Sequence, residues 1–120
     1  MGDAAVQTSI DYETYLTIER DADQKHEWVD GHIYAMAGGT IEHGQLTTQM
    51  LGELLRLASA SGCRAYNSDV KIRVQASGLA TYPDASVVCG LVERHPRDRN
   101  AVGNPVGLVE VLSDGTEAYD

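Results

Sequence analysis

Two carboxylates define the chemistry to look for in this chain. Asp84 stands in Tyr82-Pro83-Asp84, at the head of the apolar run Ala85-Ser86-Val87-Val88-Cys89, and Glu110 interrupts Leu108-Val109-Glu110-Val111-Leu112. An acid entering or occupying an apolar strand is costly unless it is paired or bound to a cation. On neighbouring strands the two would suit Mg²⁺ or Mn²⁺, since Mg²⁺ takes oxygen ligands and keeps waters for a phosphate substrate. Each also has a plainer explanation. Asp84 fits a solvated turn aspartate after proline, and Glu110 fits half of a structural ion pair. Strand periodicity puts Leu108, Glu110 and Leu112 on one side, with Val109 and Val111 opposite.

The elements that must position these residues can be read from the pattern around them. Asp11 caps a short helix from Tyr12 to about Glu19, with Tyr12, Tyr15, Leu16 and Glu19 at helical spacing. His26 to Met36 reads as a hairpin turned by Asp30-Gly31, the dipeptide that best supplies positive φ angles. After Gly38-Gly39, Thr40 offers an N-cap. Leu46, Met50, Leu54 and Leu57 then form an amphipathic stripe on a helix running from Ile41 to about Ala60 and stopped by Gly62. Its length suits a helix laid across one face of a sheet. Three strands follow. Arg64 to Val74 places Val70, Ile72 and Val74 on one side and Lys71 and Arg73 on the other. Ala80 to Cys89 contains Pro83, which belongs at a strand's start or at a bulge. Val106 to Leu112 comes after a polar loop of Arg, Asp, Asn and Gly. A helix and three strands with no room for crossover helices predict an α+β fold.

The length, 120 residues, fits a single domain spanning residues 1–120. The net charge is −9, from 18 acids against 9 bases. Nucleic-acid binders usually carry a basic stripe, and here only Arg94, Arg97 and Arg99 cluster. A nucleic-acid role therefore needs positive charge from a metal, a partner or further chain. Cys63 and Cys89 form no CxxC and no paired Cys/His spacing, which argues against zinc, gives no disulfide framework and predicts buried free thiols. No apolar stretch approaches the roughly 18 residues that span a bilayer. The N-terminus lacks a secretory pattern, so no membrane association is expected and the cytoplasm is the expected compartment.

Several short words recur in order along the chain: Lys25-His26-Glu27-Trp28-Val29-Asp30-Gly31, Ala35-Met36-Ala37-Gly38-Gly39, Ser68-Asp69-Val70-Lys71, Tyr82-Pro83-Asp84, Asn104-Pro105, Val109-Glu110-Val111-Leu112-Ser113 and Thr116-Glu117-Ala118-Tyr119-Asp120. With this order and spacing the chain from Tyr12 onward resembles the Uma-type restriction endonuclease family within the PD-(D/E)XK nuclease superfamily. The resemblance implies a restriction-endonuclease-like core, a helix packed on a mixed sheet, preceded by a short helix and a β-hairpin. The last helix and strand of that core would be missing after Asp120. It implies metal-assisted hydrolysis of phosphodiester bonds in DNA, with Asp84 and Glu110 holding Mg²⁺ or Mn²⁺. Glu27 and His43 match positions that face or flank the site. Glu27 would be a supporting or third acid, and His43 would contact a phosphate or a metal-bound water. Each equally fits a local role, as a cross-strand partner or a helix-start side chain. Asp69 and Lys71 follow the family word too, and otherwise read as exposed strand charges.

The departures from the pattern matter as much. The superfamily usually carries a Lys two residues after the Glu, where this chain has Leu112. The family resembled tends to recover a basic residue on the following helix, past Asp120. Lys71, the only Lys after Lys25, takes that catalytic role only if its side chain reaches the Asp84–Glu110 cleft. Ser113-Asp114-Gly115-Thr116 also stands where Ser-Pro-Ser-Thr is typical. The alternative is a catalytically inactive scaffold or interaction module of the same fold. Strand edges left exposed would favour a homodimer.

Overall fold

Asp11 starts the first helix by accepting a hydrogen bond from the Thr14 amide at 2.8 Å, which satisfies one of the free N–H groups of α1 (Tyr12–Asp21). The computed structural model describes residues 9–112, so the words at 113–120 lie outside the described residues. The hairpin forms as expected from β1 (His26–Val29) and β2 (His32–Ala35), with φ of 49° at Asp30 and 88° at Gly31. Thr40 caps α2 (Ile41–Ala60), its hydroxyl accepting from the His43 amide at 3.0 Å, and Gly62 turns the chain out with φ of 75°.

The strands beyond α2 differ from their expected form. Arg64 to Val74 is not one strand but two, β3 (Cys63–Tyr66) and β4 (Lys71–Val74), separated by a turn at Asn67–Val70 and placed in different sheets. Ala80 to Cys89 likewise divides into β5 (Leu79–Thr81) and β6 (Ala85–Cys89). Pro83 lies in the break, where a residue without an N–H ends one ladder before the next begins. The polar loop contains two further strands, β7 (Arg94–His95) and β8 (Asp98–Val102), and the chain returns through β9 (Gly107–Val109). One sheet runs β2-β1-β5-β4-β8-β7 and is mixed, since β4 and β8 are parallel while the other pairs are antiparallel. The other runs β3-β6-β9, all antiparallel, and α2 packs on β3 and β6. The α+β class holds.

Two apolar clusters hold the layers together. Tyr12, Tyr15 and Leu16 of α1 pack on Trp28 and Ala80, and the Trp28 indole donates to the Ile10 carbonyl at 2.8 Å. Ile72, Val88 and Val102 form the second cluster, with Val70 and Val74 against it. So the predicted apolar side of 70–74 is correct. The opposite side is not exposed, contrary to expectation, because α1 covers it. Lys71 and Arg73 are both buried there, with the Arg73 guanidinium 4.4 Å from the Tyr12 ring and 4.9 Å from the Trp28 ring. Asp69, in the turn, is exposed as read. The stripe on α2 is only partly used. Ala58 is buried and Met50 and Leu54 are half-buried, whereas Leu46 and Leu57 face solvent among the described residues. Among these residues no helix is long and apolar enough to cross a membrane.

The cysteines are not free. Cys63 and Cys89 are directly opposite on β3 and β6 and are joined as a disulfide, with Cys89 exposed rather than buried. Sequence separation gave no hint of this pairing, which depends on the register of the small sheet. Thiol-rich compartments keep such pairs reduced. Closing the 26-residue separation removes chain entropy equivalent to about 3 kcal/mol from the unfolded state. Reductant should therefore lower the melting temperature of the oxidised protein by on the order of 10 °C. The Cys63→Ser/Cys89→Ser protein should show no reductant dependence, and an equal melting temperature with and without reductant in the unsubstituted chain would contradict the bond.

Candidate active site

Asp84 sits at the joint between the sheets, immediately before β6. Its Oδ2 accepts the Val111 N–H at 2.7 Å, so the segment after β9 is tied to the segment before β6. That bond brings Glu110 to Asp84. β9, the outer strand of the small sheet, ends at Val109, and Glu110 is the first residue beyond it. The expected alternation persists nonetheless: Leu108, Glu110 and Leu112 lie on the exposed side, Val109 and Val111 on the half-buried side.

Although Glu110 as a whole residue is exposed, its carboxyl end is partly withdrawn from water beside other acids. Burial, then the charge and hydrogen bonding of Asp84, push its pKa up to about 7, and Glu27 adds to the rise while His43 opposes it. Glu27 reaches this group from β1, where its Oε2 accepts the Thr81 hydroxyl at 2.9 Å. His43 reaches it from the first turn of α2, with Nε2 3.4 Å from Asp84 Oδ2. Its ring leaves little space behind it. A Cβ added to Gly39 would lie 2.6 Å from His43 Nδ1, so only glycine allows the chain to pass there without moving the imidazole. The structure thus brings Asp84, Glu110, Glu27 and His43 together.

Lys71 is elsewhere. Its ammonium is 2.7 Å from Asp98 Oδ2, which also accepts the Tyr12 hydroxyl, and it lies 5.0 and 5.8 Å from the Tyr15 and Tyr82 ring centroids. It does not line the cavity beside Asp84. That cavity, of about 790 Å³, is walled by the first turns of α2, the Gly38-Gly39 segment, Ser68, Tyr82 and Lys25. Lys25 was not singled out for a role from the sequence. A signal was present, since Lys25 and Glu27 are two apart on an extended segment and so share a side. The Met36 N–H bond to the Lys25 carbonyl, 3.0 Å, extends the hairpin to include it. Glu19 was also passed over. It accepts from the His26 amide and the Tyr82 hydroxyl, both at 2.9 Å, and fixes the tyrosine that separates Lys25 from Lys71.

An oxygen-rich group of two carboxylates, one with its pKa raised by burial and by the other's charge, fits a divalent cation that needs few protein ligands. Among the described residues no cluster of three or more His, Cys, Asp or Glu side chains is placed to hold an ion by itself.

The fold is that of a nuclease-like α+β domain. The solved structure of a putative nuclease belonging to DUF820 from Anabaena variabilis matches with a TM-score of 0.70 over 91% of this chain and 60% of that one, at 16% identity. The family model "Uma2: Putative restriction endonuclease" matches residues 12–120, and the chain belongs to that family. Two Synechocystis sp. proteins, slr1290 and sll1609, both described as uncharacterized, are 39% and 33% identical over 90% and 88% of the chain. The matches span only 56% and 60% of those relatives' lengths.

The raised pKa of Glu110 has a stability consequence with a definite sign. Its carboxyl ionises at 4.5 when unperturbed and at about 7 in the folded chain. The contribution from keeping it protonated is complete below pH 4.5 and is lost as pH rises through about 7. In metal-free buffer the melting temperature should fall between pH 5 and 7.5 by roughly a few degrees, a slope that Glu110→Gln should largely remove. Identical slopes in the two proteins would show that the pKa of the Glu110 carboxyl is not raised in the folded chain.

Proposed function

We propose that the chain carries a metal-dependent endonuclease site hydrolysing phosphodiester bonds in DNA, with Asp84 and Glu110 as ligands of Mg²⁺ or Mn²⁺. The observation that most directly supports this is the meeting of two carboxylates from separate segments, the pKa of Glu110 being pushed up to about 7 by burial and then by Asp84. A divalent cation relieves such crowding, and Mg²⁺ completes its shell with water and substrate oxygens. When bound, the ion supplies charge neutralisation at the phosphate and activation of water. The chain's own residues do the rest. The Val111 N–H fixes the Asp84 carboxylate, the Thr81 hydroxyl orients Glu27, and the His43 imidazole beside Asp84 would contact a phosphate oxygen or a metal-bound water. Lys71, committed to Asp98, serves the core in this reading.

Plasmid and single-stranded DNA incubated with Mg²⁺ or Mn²⁺ should be cleaved, and Asp84→Ala and Glu110→Ala should each reduce the rate by at least about 100-fold. Activity surviving both substitutions unchanged would remove the assignment. The rival reading, a non-catalytic module of the same fold, draws on Leu112 in place of the usual Lys and on the engagement of Lys71 with Asp98. It would be favoured by the absence of cleavage from a protein that folds.

A homodimer is proposed on separate grounds. Among the described residues β9 is paired on one side only, and Leu108 on it and Leu112 just past its end are exposed. Light scattering should report twice the chain mass, and a monomer at high concentration would exclude the dimer.

A further inference from the structure

Lys25 is the only Lys or Arg among the described residues that line the cavity beside Asp84. The ammonium is fixed but not neutralised. It donates to the Ser68 carbonyl at 2.7 Å and lies 5.3 Å from the Tyr82 ring centroid. Its one carboxylate partner, Asp69, is 3.5 Å away with a side chain 80% exposed, a contact that water and salt largely screen. An ammonium has three donors, so one N–H remains after these two contacts. The contrast with Lys71 is informative: the Lys25 side chain is 42% exposed and the Lys71 side chain 9%, with Asp98 at 2.7 Å from the latter.

Resting on the nuclease reading above, we propose that Lys25, oriented by the Ser68 carbonyl and the Tyr82 ring, binds a phosphodiester of the nucleic-acid strand beside the one held at the carboxylates. The need for such a group follows from charge. A phosphate approaching Asp84, Glu110 and Glu27 meets three acids on a chain of net charge −9, and a fixed cation at the cavity wall offsets that repulsion. The spacing is built into the backbone. Tyr82, beneath the ammonium, is joined to Asp84 through Pro83, which is fully buried and has a restricted φ. The cavity volume, about 790 Å³, accommodates a nucleotide next to Asp84, with Asp23 the other acid on its wall.

The test separates binding from cleavage. Fluorescence anisotropy with a labelled single-stranded oligonucleotide, in Ca²⁺ in place of Mg²⁺, is followed across a salt series for the unsubstituted chain, Lys25→Gln and Lys25→Arg. Arg56→Gln on the exposed face of α2 controls for loss of one positive charge. Lys25→Gln should weaken binding by about tenfold and reduce the slope of log K against log salt by about one. Lys25→Arg should retain most of both, and Arg56→Gln should match the unsubstituted chain. In cleavage assays Lys25→Gln should raise KM while kcat stays within about twofold. Melting curves verify that each variant is folded, and Lys25→Met replaces Lys25→Gln if the latter is not. Unchanged affinity and slope in Lys25→Gln, an equal loss in Arg56→Gln, or no oligonucleotide binding by the unsubstituted chain would each overturn the subsite. Lys25-dependent binding without cleavage would leave the subsite standing and remove the nuclease reading. Cleavage without Lys25-dependent binding would do the reverse.

Discussion

The passage of the chain through Pro83 from one sheet to the other is the constraint on which the rest of this structure depends. Thr81 still belongs to the six-stranded sheet, and Ala85 already belongs to the three-stranded one. Between them Pro83 is fully buried, cannot donate to either ladder and holds φ in a narrow range. Everything chemically notable gathers around that joint. Tyr82 points its hydroxyl to Glu19, Asp84 accepts the Val111 amide, and Glu27 is bonded through Thr81. A site built at the meeting of two sheets draws residues from distant parts of the chain without needing long loops.

The core beneath the six-stranded sheet is polar to an unusual degree. Lys71 and Arg73 are buried on the face that α1 covers, the first against Asp98 and the second against both the Tyr12 and Trp28 rings. Charges taken from water are tolerated only with close partners, and replacing such a pair by apolar residues is often neutral or stabilising. Its value here is orientation. The Lys71–Asp98 contact and the Tyr12 hydroxyl link α1 to β4 and β8. Burial raises the Tyr12, Tyr15 and Tyr82 phenols well above their ordinary range, so these tyrosines act as neutral hydrogen-bonding side chains. Together the network gives a rigid floor on which the joint at Pro83 rests.

Against that rigid floor the acid group is electrostatically unsatisfied. Burial, Asp84 and Glu27 all disfavour the charged form of Glu110, and the His43 imidazole offsets only part of that effect. The arrangement costs the folded chain some stability at neutral pH, which fits a site kept for binding positive charge rather than for holding the fold. It also resolves the objection that an acidic chain has no business near nucleic acid. What matters to a phosphate is the field where it lands, and on the proposed reading a divalent cation at Asp84 and Glu110 and the Lys25 ammonium would outweigh the distant surface charge there.

Local signals in the sequence determined a good deal. Asp11 and Thr40 located both helix starts, Asp30-Gly31 located the hairpin, and the acids interrupting apolar runs identified Asp84 and Glu110 as the pair to watch. These features depend on neighbours within a few residues, and the physics of caps, turns and desolvation acts at that range. Tertiary structure alone decided the rest. It divided two of the three predicted strands between two sheets, joined Cys63 to Cys89, buried Lys71 under α1 and placed Lys25 on the wall of the cavity that Asp84 lines. Strand pairing is set by contacts far apart in the chain, and whether a lysine is sequestered or free depends on which acid those contacts bring within reach of it.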